Sequence, residues 1–205
     1  MTMTHDVARA LLGAGAVHLR PDEPFTFASG LRSPIYCDNR LLIGDVAARR
    51  VVVAGFVEAC RDAEVVAGTA TAGIPWAAWV AEALSLPMAY VRGSAKGHGR
   101  GRQVEGAAIS GRRVVLLEDT ISTGESAIAA AGALRAEGAD LLRCVGIFTW
   151  GWAETQAAFA EVGVPLLTLT QLPALLDEAV SGGRLAQGQR ALVESWAADP
   201  KGWGG

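Results

Sequence analysis

The chain has 205 residues, 51% of them hydrophobic, with 18 basic against 21 acidic side chains and a net charge of -3. That is enough apolar material for one domain with helices covering both faces of a sheet, and it excludes a disordered polymer. The slightly acidic balance supplies no global positive field, so neither nucleic acid nor an anionic membrane is expected as a partner, and a ligand must be recognised locally.

The opening residues MTMTHDVARALLGAGAVHLR lack the basic start and sustained apolar core of a signal peptide. Val7, Ala8, Leu11 and Leu12 give residues 6–14 a helical period, and residues 20–43, punctuated by Pro21, Pro24, Gly30 and Pro34, read as an irregular or β-rich preface to the main fold. Asp45 is placed to cap a helix running to about Asp62. Strands are then expected at 64–68, 87–91, 113–118, 141–148 and 165–170, alternating with helices near 74–85, 124–137, 152–162, 173–180 and 184–197. This alternation predicts one α/β domain over 1–205, a mostly parallel central sheet flanked by helices, with its ligand crevice beyond the carboxyl ends of the strands. Residues 73–91 carry a single charge, Glu82, but Pro75, Ser85 and Pro87 interrupt the run, so a helix followed by a strand fits better than a bilayer span. Cys37, Cys60 and Cys144 are scattered without a C-x-x-C pair; they read as small apolar residues of a protein in a reducing, cytoplasmic compartment.

Residues 92–111, RGSAKGHGRGRQVEGAAISG, form a connection that is long for a compact domain, rich in glycine, and gather Arg92, Lys96, His98, Arg100 and Arg102. Such a segment is usually functional and often a lid. A solvated turn, or a short glycine–arginine segment for RNA, is the plainer alternative, but no aromatic residue is interleaved for stacking on bases. Lysine occurs only at positions 96 and 201, so a lysine in this loop of an arginine-rich chain suggests a need for a compact, mobile point charge. The phosphate-loop and dinucleotide glycine patterns are absent, and His5, His18 and His98 lie far from any cysteine at zinc-ligand spacing.

VVLLEDTISTGES, residues 114–126, runs from a buried strand through two carboxylates into hydroxyls and a glycine, and an alanine-rich helix follows. Strand, hydroxyl-and-glycine loop and helix make an anion cradle, because free backbone N–H groups and the helix dipole favour negative charge. Glu118 and Asp119 at its mouth are either turn-capping acids or partners of a ligand that brings hydroxyl donors or a divalent cation. A ribose phosphate with Mg²⁺-bound pyrophosphate brings both: the loop takes the 5-phosphate and the acids accept from ribose hydroxyls or hold waters of the metal.

This segment resembles the phosphoribosyl pyrophosphate (PRPP) motif of the type I phosphoribosyltransferases. More narrowly, FTFASGLRSPIYCDNR (25–40), GTATAGIP (68–75), VRGSAKGHGRGRQVEG (91–106) and IFTWG (147–151) resemble orotate phosphoribosyltransferases, in that family's order and over most of the chain. The resemblance implies the type I fold with a small N-terminal hood, mainly 1–43, and a mobile catalytic loop, 92–111. It implies transfer of the phosphoribosyl group from PRPP to orotate, giving orotidine 5'-monophosphate and pyrophosphate in pyrimidine biosynthesis. Carried over by position, Arg92, Lys96 and His98 match loop residues that contact PRPP. Glu118, Asp119, Thr120, Ile121, Ser122, Thr123, Gly124, Glu125 and Ser126 match the ribose-phosphate loop, and Ser122 also matches an orotate contact. Lys96, His98 and Asp119 are the implied catalytic set, and TATAG at 69–73 matches the pyrophosphate loop. Mg²⁺ is implied, held mainly by PRPP near Glu118 and Asp119, as is a homodimer whose loops reach across subunits.

The chain departs from many relatives, which carry a second lysine where Gly93 to Ala95 stand, a lysine at the position of Ala28, and an Asp-Arg pair near Thr149 and Trp150. For the orotate carboxylate this leaves Arg32, Arg40 or backbone amides of residues 28–38, with Trp150 and Trp152 either covering the base or serving as core. Two other activities fit the same fold. One is gene regulation by PRPP binding, for which residues 1–45 offer no basic face, and the other is transfer to a purine base.

Overall fold

In the computed structural model, which describes residues 2–27, 30–93 and 102–203, the chain begins with α1 (Met3–Gly13), whose Val7, Ala8, Leu11 and Leu12 form one buried stripe. Four short strands follow: β1 (Val17–Leu19), β2 (Phe25–Thr26), β3 (Arg32–Ser33) and β4 (Ile35–Cys37). They pair antiparallel in two small ladders apart from the main sheet, β1 with β4 and β2 with β3. A single turn, α2 (Leu41–Gly44), leads into α3 (Val46–Ala59), and the Asp45 carboxylate caps it by accepting from Ala48 N at 2.9 Å. That cap satisfies one of the orphan N–H groups of the first turn, as the sequence reading requires.

The remaining elements are β5 (Val65–Thr69), α4 (Gly73–Leu84), β6 (Met88–Val91), β7 (Val104–Gly106), β8 (Arg113–Ile121), α5 (Glu125–Ala136), β9 (Asp140–Thr149), α6 (Ala153–Glu161), β10 (Leu166–Gln171), α7 (Leu172–Ser181) and α8 (Gln187–Ala198). Six strands form the central sheet in the order β10-β9-β8-β5-β6-β7, parallel except for the antiparallel edge strand β7. All five expected strands are present. The expected helix-then-strand reading of 73–91 is also met by α4 and β6, and among the described residues no helix is long and apolar enough to cross a membrane.

Both faces of the sheet are covered, which is why its strands read as unbroken apolar runs rather than alternating ones. Along β8, Val115 and Leu117 enter the core built with Leu11, Phe56, Trp76 and Leu175, whereas Val114 and Leu116 enter the opposite core with Ala127, Leu134 and Phe159.

Residues 92–111 were expected as a single irregular connection, but β7 lies inside them: Val104 is buried, Ala89 to Val91 pair with Gly106 to Val104, and Arg92 N donates to Gln103 O at 2.9 Å. The return strand adds an antiparallel edge to the sheet.

Candidate active site

The carboxyl ends of β8, β5 and β6, neighbours in the sheet, bring three of the singled-out segments to one rim. At the first of these, the strand does not stop at Glu118. Thr120 and Ile121 pair with Phe148 and Thr149 of β9, and Ile121 is buried against Gly146, where an added Cβ would meet Ile121 Cγ1 at 2.6 Å. The two charges make the strand look finished in sequence, yet the backbone ladder and one isoleucine carry it further.

The chain then turns through Ser122 to Gly124, which caps α5 at φ +86°. A side chain there would be strained, and its Cβ would lie 2.6 Å from the Phe159 ring. From the same helix, α6, Thr155 Oγ1 donates to Ser122 O at 2.6 Å and pins the turn. The turn encloses a cavity of about 80 Å³ lined by Glu118 and residues 120–127. Thr120, Ser122, Thr123 and Ser126, all hydroxyl-bearing, belong to this lining, and the first N–H groups of α5 lack intrahelical acceptors. That is the chemistry of an anion site.

Glu118 is 8% exposed, and burial raises its carboxyl from an ordinary 4.5 to about 7, against the opposing effects of the Thr69 hydroxyl and the Asp119 amide, which donates to Glu118 Oε1 at 2.9 Å. A folded-state value above the unfolded one means that the native protein holds this proton more tightly. The stability it confers is complete below about pH 4.5 and is lost as the pH rises through about 7. Thermal melts from about pH 5 to about pH 8 are expected to show a declining transition temperature, and Glu118→Gln is expected to flatten that part of the decline. An unchanged slope in the variant assigns the decline to other groups.

Asp119 does not line the small cavity; its Oδ1 accepts from Thr120 N at 2.7 Å. Its carbonyl and the Thr120 hydroxyl both accept from Asn39 Nδ2, at 2.9 and 2.8 Å. Asn39 had no assigned role in the sequence reading, nor did Thr155 and Phe159.

At the end of β5, the 69–73 turn packs tightly on β8. Thr69 Oγ1 donates to Leu117 O at 3.3 Å, Ala70 N donates to Val91 O at 2.8 Å, and the Ala70–Thr71 peptide bond is cis. Beyond β6, Arg92 is half-buried with its guanidinium 3.4 Å from Glu105, which also accepts from the Tyr90 hydroxyl at 3.1 Å. Lys96 and His98, like Ala28, lie outside the described residues. Thus Arg92, the 69–73 turn and Glu118 through Ser126 stand at the carboxyl ends of three adjacent strands.

In the candidate orotate region, Arg40 grips Asp38 through two bonds, Nε to Oδ1 at 2.7 Å and Nη2 to Oδ2 at 2.8 Å, and these hold the Asp38 carboxyl below its usual range. Trp150 stands edge-on to Phe148 and Trp196, with centroids 4.9 and 5.1 Å away, and Trp196 Nε1 donates to Arg32 O at 3.1 Å. The tryptophans therefore tie the end of β9 to α8 and, through Arg32, to β3. Cys60 and Cys144 are buried as expected, but Cys37 is more than an apolar filler: its Sγ donates to Asn39 Oδ1 at 3.1 Å, and burial, reinforced by Asp119 and Asp38, pushes its thiol up to about 12.

Two larger grooves, of about 630 and 540 Å³, lie along α3, against α1 and α4 respectively. Alanine and valine dominate the wall of the first, the second is lined equally by these and by charged side chains, and neither reaches the strand ends, so volume is a poorer guide here than convergent polar groups. Among the described residues no group of three His, Cys, Asp or Glu side chains could hold a metal by itself. The pair Glu118 and Asp119 does fit a hard divalent cation that takes most of its oxygen ligands from a substrate and water.

A model of the phosphoribosyl transferase domain matches residues 48–151. The orotate phosphoribosyltransferase of Bacillus caldolyticus is 47% identical over 98% of this chain and all of its own length, and that of Enterococcus faecalis is 46% identical over 97% of this chain and 96% of its own. Among solved structures, orotate phosphoribosyltransferase from Aeropyrum pernix superposes with a TM-score of 0.75 at 35% identity, covering 86% of this chain and 99% of that one. Leishmania donovani UMP synthase reaches 0.79 at 25% identity, over 95% of this chain and 42% of that one.

Proposed function

The chain belongs to the orotate phosphoribosyltransferases of the phosphoribosyl transferase family, and from that premise we propose that the rim formed by β8, β5 and β6 is where PRPP and orotate meet. The enzyme transfers the phosphoribosyl group of PRPP to orotate, giving orotidine 5'-monophosphate and pyrophosphate. The observation that carries the site assignment is the placement of Glu118 and Asp119 immediately ahead of a small polar cavity at the N-terminus of α5.

In this reading the loop from Thr120 to Ser126 binds the 5-phosphate through hydroxyls and backbone N–H groups, and the two acids accept from ribose hydroxyls. A ring nitrogen of orotate attacks the anomeric carbon as its bond to the pyrophosphate oxygen breaks, with inversion, so no protein nucleophile is required. Positive charge grows on the ribose and negative charge on the departing pyrophosphate, which makes preorganised charge the main source of acceleration. Arg92, Lys96 and His98 neutralise the leaving group, backbone amides of the 69–73 turn approach it, and Ser122 contacts orotate. The orotate carboxylate is received by Arg32, Arg40 or backbone amides of residues 28–38; of these, Arg40 must loosen its grip on Asp38 to take part. Mg²⁺, when bound with PRPP near Glu118 and Asp119, supplies charge neutralisation of the pyrophosphate.

We place the enzyme in the cytoplasm, in keeping with three free thiols, as a homodimer sharing the 92–111 loop. Mixing a Lys96→Ala protein with an Asp119→Asn protein tests the sharing. Recovery of activity on subunit exchange supports it, and strict additivity of the two residual activities excludes it.

Incubation with Mg²⁺, PRPP and either orotate or xanthine, followed by base absorbance, tests the substrate; consumption of xanthine alone overturns the assignment. Asp119→Asn is expected to raise the KM for PRPP about tenfold with a smaller change for orotate, the scale of replacing a charged acceptor by a neutral one. Equal PRPP KM in the two proteins contradicts the ribose-hydroxyl role.

A further inference from the structure

Asn39 is a buried side chain that the reaction above does not use, and it joins the N-terminal ladders to the acidic end of β8. It is 1% exposed and lies two residues beyond β4. Only an amide nitrogen can face the Asp119 carbonyl, so its orientation is determined by its partners. Nδ2 donates to Asp119 O and to Thr120 Oγ1, while Oδ1 accepts from the Cys37 thiol. A primary amide buried this deeply is costly unless paired, and here its donors are directed at two consecutive residues of the acidic strand end.

The consequence for Thr120 is chemical. Its hydroxyl oxygen accepts from Asn39, so its own proton is directed elsewhere, and Thr120 lines the anion cavity. The proton is thereby available to an acceptor in that cavity, and the donated bond polarises the hydroxyl as a donor. At the same time the bond to the Asp119 carbonyl orients the backbone that carries the Asp119 carboxylate. We infer that Asn39 is a positioning residue for PRPP: it presents the Thr120 hydroxyl to the 5-phosphate, sets the orientation of Asp119, and couples the segment bearing β4 to the ribose-phosphate loop. This rests on the assignment of the acidic end and its loop to the ribose phosphate.

The test compares Asn39→Ala, Asn39→Asp, Thr120→Val and the Asn39→Ala/Thr120→Val double variant by steady-state kinetics, with melting temperatures recorded for each. Asn39→Ala is expected to raise the KM for PRPP about fivefold to tenfold, the scale of one or two hydrogen bonds, while the orotate KM moves less than about twofold. The double variant is expected to be less impaired than the product of the single effects, because both changes remove the same bond. Asn39→Asp matches the native side chain in size and carries the test if the alanine variant does not fold. Its carboxylate accepts the Thr120 proton and so withdraws it from the cavity, again raising the PRPP KM. A folded Asn39 variant with an unchanged PRPP KM, or with both KM values raised equally, overturns the inference. Asp119→Asn assayed in parallel separates the two levels. If it impairs PRPP use and the Asn39 variants do not, only the role of Asn39 falls. If it leaves PRPP use intact, the ribose assignment beneath it falls.

Discussion

Lys96→Ala is expected to lower kcat by about two to three decades, the scale for deleting one preorganised charge at a developing anion. Of the chain's 18 basic residues only two are lysine, at positions 96 and 201. Where arginine fills nearly every other basic position, retaining an ammonium implies that a compact charge with free rotation is needed rather than a planar fork. Departure of pyrophosphate is such a need, since its charge shifts as the bond to carbon lengthens. The effect should fall on kcat more than on either KM, because the interaction strengthens in the transition state. Lys96→Arg should recover part of the loss by restoring charge without the geometry. Steady-state kinetics at saturating PRPP and orotate measure both, and a near-normal kcat in the alanine variant removes Lys96 from the mechanism.

The parts of this molecule legible in sequence are those whose cause is local. Apolar runs of strand length locate β5, β6, β8, β9 and β10, and Asp45 announces a helix start that its bond to Ala48 N satisfies. The acidic pair with its hydroxyl loop is legible for the same reason, because strand end, turn and helix start are contiguous. What escapes is set by distant partners. Thr120 and Ile121 look like turn residues until β9 pairs with them, and Val104 looks like part of a loop until β6 offers an edge. Asn39 meets Thr120 across 81 positions, and Thr155 meets Ser122 across 33, so neither leaves a spacing that a reader of the sequence can detect. The large grooves along α3 carry the complementary lesson: hydroxyls and carboxylates gather where strand ends converge, not in the roomier grooves.

Gly73→Ala is expected to damage both stability and PRPP use, although the added group is a single methyl. An ideal Cβ at Gly73 would lie 2.5 Å from Leu117 O and 2.6 Å from Thr69 Oγ1, and one at Gly68 would lie 2.5 Å from Gly73 O. The first obstacle is the backbone oxygen of a central strand, which cannot swing aside like the end of a flexible side chain, so the start of α4 must move away from β8. Overpacking of this kind costs about 1–3 kcal/mol. The displaced element carries the 69–73 turn, and the oxygen it must avoid belongs to the residue immediately before Glu118. Misplacing that turn by about 1 Å is enough to cost about a hundredfold in rate. Gly132→Ala is the control, since Gly132 lies exposed within α5 with nothing near its Cβ position. There the same methyl should stabilise by about 0.5–1 kcal/mol through helix propensity and leave catalysis unchanged. Melting temperatures moving in opposite directions, with PRPP turnover lost only in Gly73→Ala, confirm that close approach of α4 to β8 is what seats the turn proposed to receive pyrophosphate. A fully active Gly73→Ala enzyme would show that the turn binds PRPP without that approach.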